Sequence, residues 1–395
     1  MRSPLGGDPF RPNPWRRLKT IGIAGSRGKT VASCLVAAVL HAAGHRVGVA
    51  NDLGVCDGRE ATGDRADPAT PAAWADLLRR MADNDCSHAV LELPAEALGD
   101  GSLIDAELDA ACVTNTLGDL HHRSLCDDRR TAGQLLDLLA PEGFASLNAD
   151  DAATASWLGQ FGGPVLTVAI RRAGEIMATI VEQTLYEQTF LLIAGSDVMP
   201  VTTRMVGTHH VYNCLSAAAI GLAYGIDLPT VVRGLESVDH VPSRLQRLEC
   251  GQPFGVFVDA ARSPDTLAGA LACLRKWTCG RLIAVVGCGN EWSAEQRPLV
   301  GKVVENAADL AFLTGSRQGR AAAGRLVDDV LGGFACPASA EVQPRRAAAI
   351  ELALDEAREG DCLLVVGDDV ENVRTLLYES QARGTLSGLV APGVG

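Results

Sequence analysis

The clearest chemistry in this chain lies in six residues, Gly25-Ser26-Arg27-Gly28-Lys29-Thr30. Two glycines leave backbone N–H groups open to an anion, a lysine follows the second glycine, and a threonine follows the lysine. Between a strand and a helix, that order cradles a nucleoside triphosphate. The turn's N–H groups and the helix N-terminus face the phosphates, Lys29 neutralises the outer ones, and Thr30 offers a hydroxyl to Mg²⁺. The flanks meet the requirement: residues 18–24 are an apolar run that reads as a buried strand, and residues 31–43 are an Ala/Leu/Val-rich run that reads as a helix. The pattern is incomplete, because Ile23 stands where the full Walker A spacing has its first glycine.

Further candidates close other apolar runs. His88-Ala89-Val90-Leu91-Glu92-Leu93 is a strand ending on a carboxylate, and the strand over 109–115 ends on Asn115, with Asp119 just beyond. In open parallel sheets ligands gather at the carboxyl ends of strands. Glu92, Asn115 and Asp119 are therefore expected toward the phosphate turn, with Glu92 as a Mg²⁺ ligand. Of the adjacent His121-His122, neighbours point in different directions, so one metal takes at most one of them. Cys288 has no evident paired base, and Gly287-Cys288-Gly289 is not a full G-x-G-x-x-G, so neither a nucleophile nor a dinucleotide site is expected there.

A chain of 395 residues has room for two or three domains. With 47% hydrophobic residues, 42 Gly and only 4% aromatics, it has an α/β composition rather than a disordered one. A net charge of −13 argues against nucleic acid as the main partner, while leaving room for a locally positive phosphate pocket. The 12 cysteines include no C-x-x-C pair and read as reduced thiols. No run approaches the ~20 apolar residues of a membrane span, and the proline-rich start is no signal peptide. A cytoplasmic protein with no membrane partner is expected.

The elements that must position these residues fall into three segments. Residues 1–17 read as a flexible leader. Residues 18–241 read as a P-loop ATPase central domain, a mostly parallel α/β sheet with a small antiparallel patch between 165 and 205. Within it, 51–72 reads as a surface loop and 131–140 as a helix. After Pro242 the alternation of strands and helices restarts, giving a second, Rossmann-like α/β C-terminal domain over 242–395.

With these motifs in place, the chain resembles the Mur ligase family, ATP-dependent enzymes that join an amino acid to a carboxylate in peptidoglycan assembly. Within it, the likeness is greatest to the ligases that add the third residue of the stem peptide. The likeness runs from about 18 to 371 in the family's order and spacing. Gly25–Thr30 resembles the family's G-T-x-G-K-T. The run 91–98 stands where the family has M-E-V-S-S-H-A-L, whose Glu binds Mg²⁺. Thr114-Asn115 opens the segment that resembles T-N-L-T-x-D-H-L-D, and 147–151 is similar to L-N-A-D-D. Residues 207–213 resemble G-x-H-N-V-Y-N, whose last Asn, here Asn213, contacts ATP. Residues 241–244 resemble V-P-G-R, and 258–265 resemble V-D-Y-A-H-T-P-D. The resemblance implies that Arg244 and Asp259 engage ATP from the C-terminal side. Gly287-Cys288-Gly289-Asn290 and Arg297-Pro298-Leu299 complete the series.

The departures define the remaining expectations. The phosphate turn begins at residue 25, so the family's N-terminal UDP-sugar-binding domain has no counterpart in this sequence. The second-metal His falls on Leu120, leaving His121 as its substitute. The carbamate-forming lysine falls on Ala132 or Gly133. The diaminopimelate signature D-N-P-R falls on 316–319, and K-G-H-E falls on 368–371 with inverted charge. Arg262 replaces a His and Arg27 adds charge in the turn, so a permanent cation is expected to take over part of the lost metal's role. The resemblance implies ATP and Mg²⁺, with Lys29, Glu92 and Arg262 in catalytic positions. It also implies a small-molecule carboxylate acceptor, an amino acid and, as a further partner, a separate UDP-sugar-binding chain. The alternative is a catalytically impaired, regulatory nucleotide-binding protein of the same fold.

Overall fold

The computed structural model describes residues 13–63, 68, 70–115, 133–158, 161–289, 292–315, 320–367 and 370–382. They form two compact units. The first holds the chain to Glu182, Thr189–Thr203 and Thr208–Asp239. The second holds Gln183–Gln188, Arg204–Gly207 and the chain from His240 onward.

The first unit is built on an eleven-stranded sheet. Along the chain its elements are β1 (Lys19–Ala24), α1 (Lys29–Ala42), β2 (Val47–Asn51), β3 (Gly54–Cys56), β4 (Ala61–Thr62), α2 (Pro71–Asp83), β5 (His88–Glu92), α3 (Ala95–Gly99) and β6 (Leu108–Val113). A short helix α4 (133–137) follows, then β7 (Leu139–Asn148), α5 (Ala152–Trp157), β8 (Val165–Ala169), β9 (Ile176–Gln183), β10 (Gln188–Ala194), β11 (Asp197–Thr203), α6 (Thr208–Ala223) and α7 (Leu228–Glu236). The strand order is β11-β10-β9-β8-β7-β6-β1-β5-β2-β3-β4. The centre, β2-β5-β1-β6-β7-β8, is parallel, and β9–β11 are the small antiparallel patch.

Burial on both faces explains why the central strands read as continuous apolar runs. Ile21, Ile23 and Val90 are fully buried. The core that carries Ala24, Ala89 and Leu91 packs on α2 through Trp74, Leu78 and Met81. Asn51 at the end of β2 bonds instead to Ser33 of α1. Strand alternation then puts Glu92, two residues beyond Val90, on the α1 face.

The second unit has β12 (Gln246–Arg247), β13 (Gly255–Asp259), α8 (Pro264–Arg275), β14 (Leu282–Cys288), α9 (Gln296–Ala307), β15 (Leu310–Gly315), α10 (Arg320–Leu331), β16 (Ala340–Gln343), α11 (Arg346–Glu356), β17 (Cys362–Val366) and α12 (Val370–Ala382). Its order is β12-β13-β17-β14-β15-β16, parallel except at β12. Residues of α8, α9 and α10 fill one core, and those of α11 and α12 fill the other.

Four local expectations change. Residues 13–17, expected in a loose leader, form an Asn13-capped turn that buries Trp15 against Trp74, with ring centroids 6.3 Å apart. Arg16 pairs with Glu107 and Arg17 with Asp83. The expected loop over 51–72 contributes β3 and β4, an antiparallel extension too short to show a period in the sequence. The helix expected over 131–140 gives way by Leu139 to β7, where Leu139 pairs with Leu108 of β6. In the second unit β16 adds an edge strand that the sequence reading lacks, because four residues, Ala-Glu-Val-Gln with the middle two exposed, are too few for their alternation to stand out.

Candidate functional site: a phosphate turn at the carboxyl edge

The turn between β1 and α1 is shaped by two glycines. Gly25 has φ 138° and Gly28 φ 84°, both in the region that favours glycine. Space forbids a side chain as well. A Cβ on Gly25 would lie 2.3 Å from Thr114 Oγ1, and one on Gly28 would lie 2.4 Å from Asn213 Oδ1. The end of β6 clamps the turn from below. Ser26 N donates to Asn115 O (3.0 Å) and Arg27 N to Asn115 Oδ1 (3.2 Å). Arg27 O accepts from Asn115 Nδ2 (2.7 Å) and Thr114 Oγ1 (2.6 Å). Lys29 reaches back across the turn, its Nζ donating to Gly25 O at 2.9 Å. No side chain caps the N-terminus of α1, so the helix's first amides and its positive dipole end face the turn.

Oxygen ligands gather beside it. Thr30, in the first turn of α1, is buried. Ser33 Oγ donates to Thr30 O (2.7 Å) and accepts from Asn51 Nδ2 (2.9 Å), tying the end of β2 to α1. Glu92 ends β5 half-buried, and its Oε2 accepts from Asp52 N at 3.0 Å. Hard oxygen donors around a phosphate turn suit Mg²⁺, which takes one or two carboxylates and completes its shell with phosphates and water.

The opposite wall is the second turn of α6. Asn213 is buried, its amide lies against Gly28, and its Nδ2 has no hydrogen-bond partner. A buried unpaired amide costs about 1–3 kcal/mol, so it marks a place where a ligand or water belongs. Behind it, Asp150 accepts from the N–H groups of Ile170, Arg171 and Arg172 and from Tyr212 OH (2.7 Å). Burial and that bond push the Tyr212 phenol well above its ordinary value, so it serves as a fixed donor.

On the second unit, Arg244, Asp259 and Arg262 cluster where β13 ends. Asp259 Oδ2 accepts from Leu245 N at 2.7 Å. Burial raises its carboxyl to about 6, against the pull of the Leu245 and Ala261 amides and of Arg244. Arg244 is flanked by Ser243 (φ 52°) and Leu245 (φ 49°), both left-handed without being glycine. Arg262 is exposed just beyond β13.

The first unit thus brings together Gly25, Ser26, Arg27, Gly28, Lys29, Thr30, Glu92, Asn115 and Asn213, while Arg244, Asp259 and Arg262 belong to the second. His121, Asp119 and the positions of the lost metal His and of D-N-P-R lie outside the described residues. Cys288 is fully buried, in keeping with the expectation that it is no nucleophile. Sequence reasoning missed the Asn51–Ser33 tie and Asp52. The only signal was that the apolar run of β2 ends in Asn-Asp, just as that of β5 ends in Glu.

Comparison with known proteins bears on the whole arrangement. Residues 23–221 match the Mur ligase middle domain, and residues 243–368 match the Mur ligase glutamate ligase domain. The chain is 30% identical over 411 residues to the UDP-N-acetylmuramoyl-L-alanyl-D-glutamate–2,6-diaminopimelate ligase of Chlorobium phaeobacteroides, covering 95% of this chain and 79% of that one. It is 29% identical over 384 residues to the ligase of the same name from Geobacillus thermodenitrificans, covering 93% and 77%. A solved structure of a ligase of that name superposes with a TM-score of 0.64 at 22% identity, covering 92% of this chain and 79% of that one. Folylpolyglutamate synthase from Thermotoga maritima does so with 0.67 at 16% identity, covering 94% and 90%. Among the described residues no helix is long and apolar enough to cross a membrane.

Proposed function

The chain belongs to the Mur ligase family, and from that premise we propose that it is an ATP-dependent acid–amino-acid ligase. On this reading it works in the cytoplasm, on peptidoglycan precursors or related peptides. The acceptor is a small-molecule carboxylate, the amine an amino acid, and a separate UDP-sugar-binding chain is the further partner. The observation that carries the reading is the buried, unpartnered Asn213 amide set against a left-handed glycine of an uncapped phosphate turn.

The reaction has two balanced halves. An acceptor carboxylate oxygen attacks the γ-phosphorus of ATP, giving an acyl phosphate and ADP. An amine nitrogen then attacks the acyl carbon, and phosphate leaves with a proton lost from nitrogen. The amides of 25–30 and the N-terminus of α1 hold the phosphates. Lys29 exchanges Gly25 O for the outer phosphate oxygens and neutralises charge as the phosphoryl group moves. Asn213 fixes the nucleotide against the turn, and on the family's pattern Arg244 and Asp259 are further nucleotide contacts. Arg262 contributes a permanent cation where the family has a histidine. Mg²⁺, held by Thr30 and Glu92 and with His121 as a further ligand, would supply the remaining positive charge.

The absence of a lysine at 132–133 favours a second reading, a nucleotide-binding protein without turnover. The test is ADP release with UDP-N-acetylmuramoyl-L-alanyl-D-glutamate and a panel of amino acids that includes diaminopimelate. Release that needs both carboxylate and amine supports ligation. Nucleotide binding without any amine-dependent release supports the second reading.

A further inference from the structure

Resting on the nucleotide reading, we propose that Asp52 is a second carboxylate for the nucleotide's divalent cation, beside Glu92 and Thr30. Three observations converge on it. First, β2 and β5 are paired in parallel, with Ala50 opposite Leu91, so the two strands reach the carboxyl edge together. The main-chain N–H of Asp52 donates to Glu92 Oε2 at 3.0 Å, which brings the two acidic residues into contact. Second, this end of β2 is tied to the helix that follows the phosphate turn. Asn51 Nδ2 donates to Ser33 Oγ, which donates to the carbonyl of Thr30. Asn51 Oδ1 accepts from Leu53 N (2.9 Å), and Asn51 pairs with Gly54, so Asp52 and Leu53 sit at the tip of a closed two-residue turn. Asp52 is therefore carried by a braced turn, not a wandering loop, and it is half-buried there. Third, and independently, the buried, unpartnered Nδ2 of Asn213 lies against Gly28 of the phosphate turn, two residues before Thr30, marking that turn as one that receives a ligand.

The chemistry agrees. Mg²⁺ bound with a nucleotide keeps several waters and needs only one or two carboxylates. A protein cage of three or more acidic or histidine ligands is not required, and among the described residues there is none. An aspartate is also a common turn residue for purely local reasons. The two roles differ in one measurable respect: only a metal-facing carboxylate distinguishes metal-loaded from metal-free nucleotide.

The test titrates Mn²⁺ by electron paramagnetic resonance into the full chain saturated with AMP-PNP, for wild type, Asp52→Asn and Asp52→Ser. AMP-PNP affinity in EDTA is measured alongside by calorimetry. The proposal expects the Mn²⁺ dissociation constant to rise by about tenfold or more in both variants, the usual scale for losing a group that supports a metal. AMP-PNP affinity in EDTA should stay unchanged or tighten, because a negative charge near the phosphates has gone. Mn²⁺ affinity kept within about twofold in both variants overturns the proposal, as does an equal loss with and without metal, which is the mark of a structural role. A wild type that binds AMP-PNP in neither condition overturns the nucleotide reading, and this inference with it.

Discussion

At the carboxyl edge of the first sheet the chain turns on Gly25 and Gly28; at the edge of the second it turns on Ser243 and Leu245. All four have positive φ. For the glycines this is costless, and the space their missing Cβ atoms leave is filled by Thr114 and Asn213. For Ser243 and Leu245 a left-handed backbone costs roughly 1–2 kcal/mol each, and neighbours must hold it in place. Leu245 N is fixed by Asp259, Ala260 N donates to Ser243 O, and Ser243 N donates to Gln246 Oε1. The contrast teaches that the first edge is shaped by absence of side chains and the second by compensation. Strain retained at an edge that presents Arg244 and Asp259 fits a geometry kept for use rather than for stability.

The largest effect that would break the comparison is at Gly28. Gly28→Ala adds an atom 2.4 Å from Asn213 Oδ1 at φ 84°. AMP-PNP affinity should fall by about a hundredfold or more, with stability lowered by about 1–2 kcal/mol, read by calorimetry and thermal melting. Asn213→Ala comes next. It should cost nucleotide affinity about tenfold while the ligand-free protein melts no lower, because an unpaired buried amide has gone. A lower melting temperature with intact binding would make Asn213 a structural residue.

The comparison extends to pH, where the two units carry opposite signs. In the first unit, at the far end of β5 from the turn, His88 packs its ring against His45 (4.6 Å) and Tyr224 (5.2 Å), and Ser87 Oγ bonds its Nδ1. Burial, helped by His45, lowers it to about 4. Between pH 6.5 and 4 the unfolded chain binds a proton that the folded one refuses, so stability falls as pH falls. Asp259 does the reverse. With its carboxyl raised to about 6, the folded chain takes up a proton first, so stability rises as pH drops through 6. His88→Gln should flatten the acid loss by on the order of 1–2 kcal/mol, and Asp259→Asn should steepen it; urea melts at pH 7 and pH 5 read both. The smallest effect is Ser243→Gly, which relieves strain at the second edge. It should raise the melting temperature by about 2 °C, on the scale of under 1 kcal/mol.

Much of this was legible in the sequence where periodicity and punctuation agree. Residues 18–31 read as strand, glycine turn and helix because buried parallel strands are continuous apolar runs and the turn needs its glycines. Glu92 and Asn115 were readable as strand-end residues, although Asn115 turned out to brace the turn's backbone with both ends of its amide. What escaped lacks a local signal. Trp15 is buried only because Trp74 lies some sixty positions on and folds over it. Asp52 meets Glu92 only once β2 and β5 are paired. The strain at Leu245 leaves no mark in residue type, and that at Ser243 shows only in the glycine that V-P-G-R has at its place.

The most direct test of the central claim is calorimetric titration of AMP-PNP with Mg²⁺ into wild type and Lys29→Ala. A saturable heat for wild type, lost or weakened by about a hundredfold or more in Lys29→Ala, is the result expected of a triphosphate seated on the 25–30 turn. No heat for wild type, or equal binding by both proteins, would contradict it.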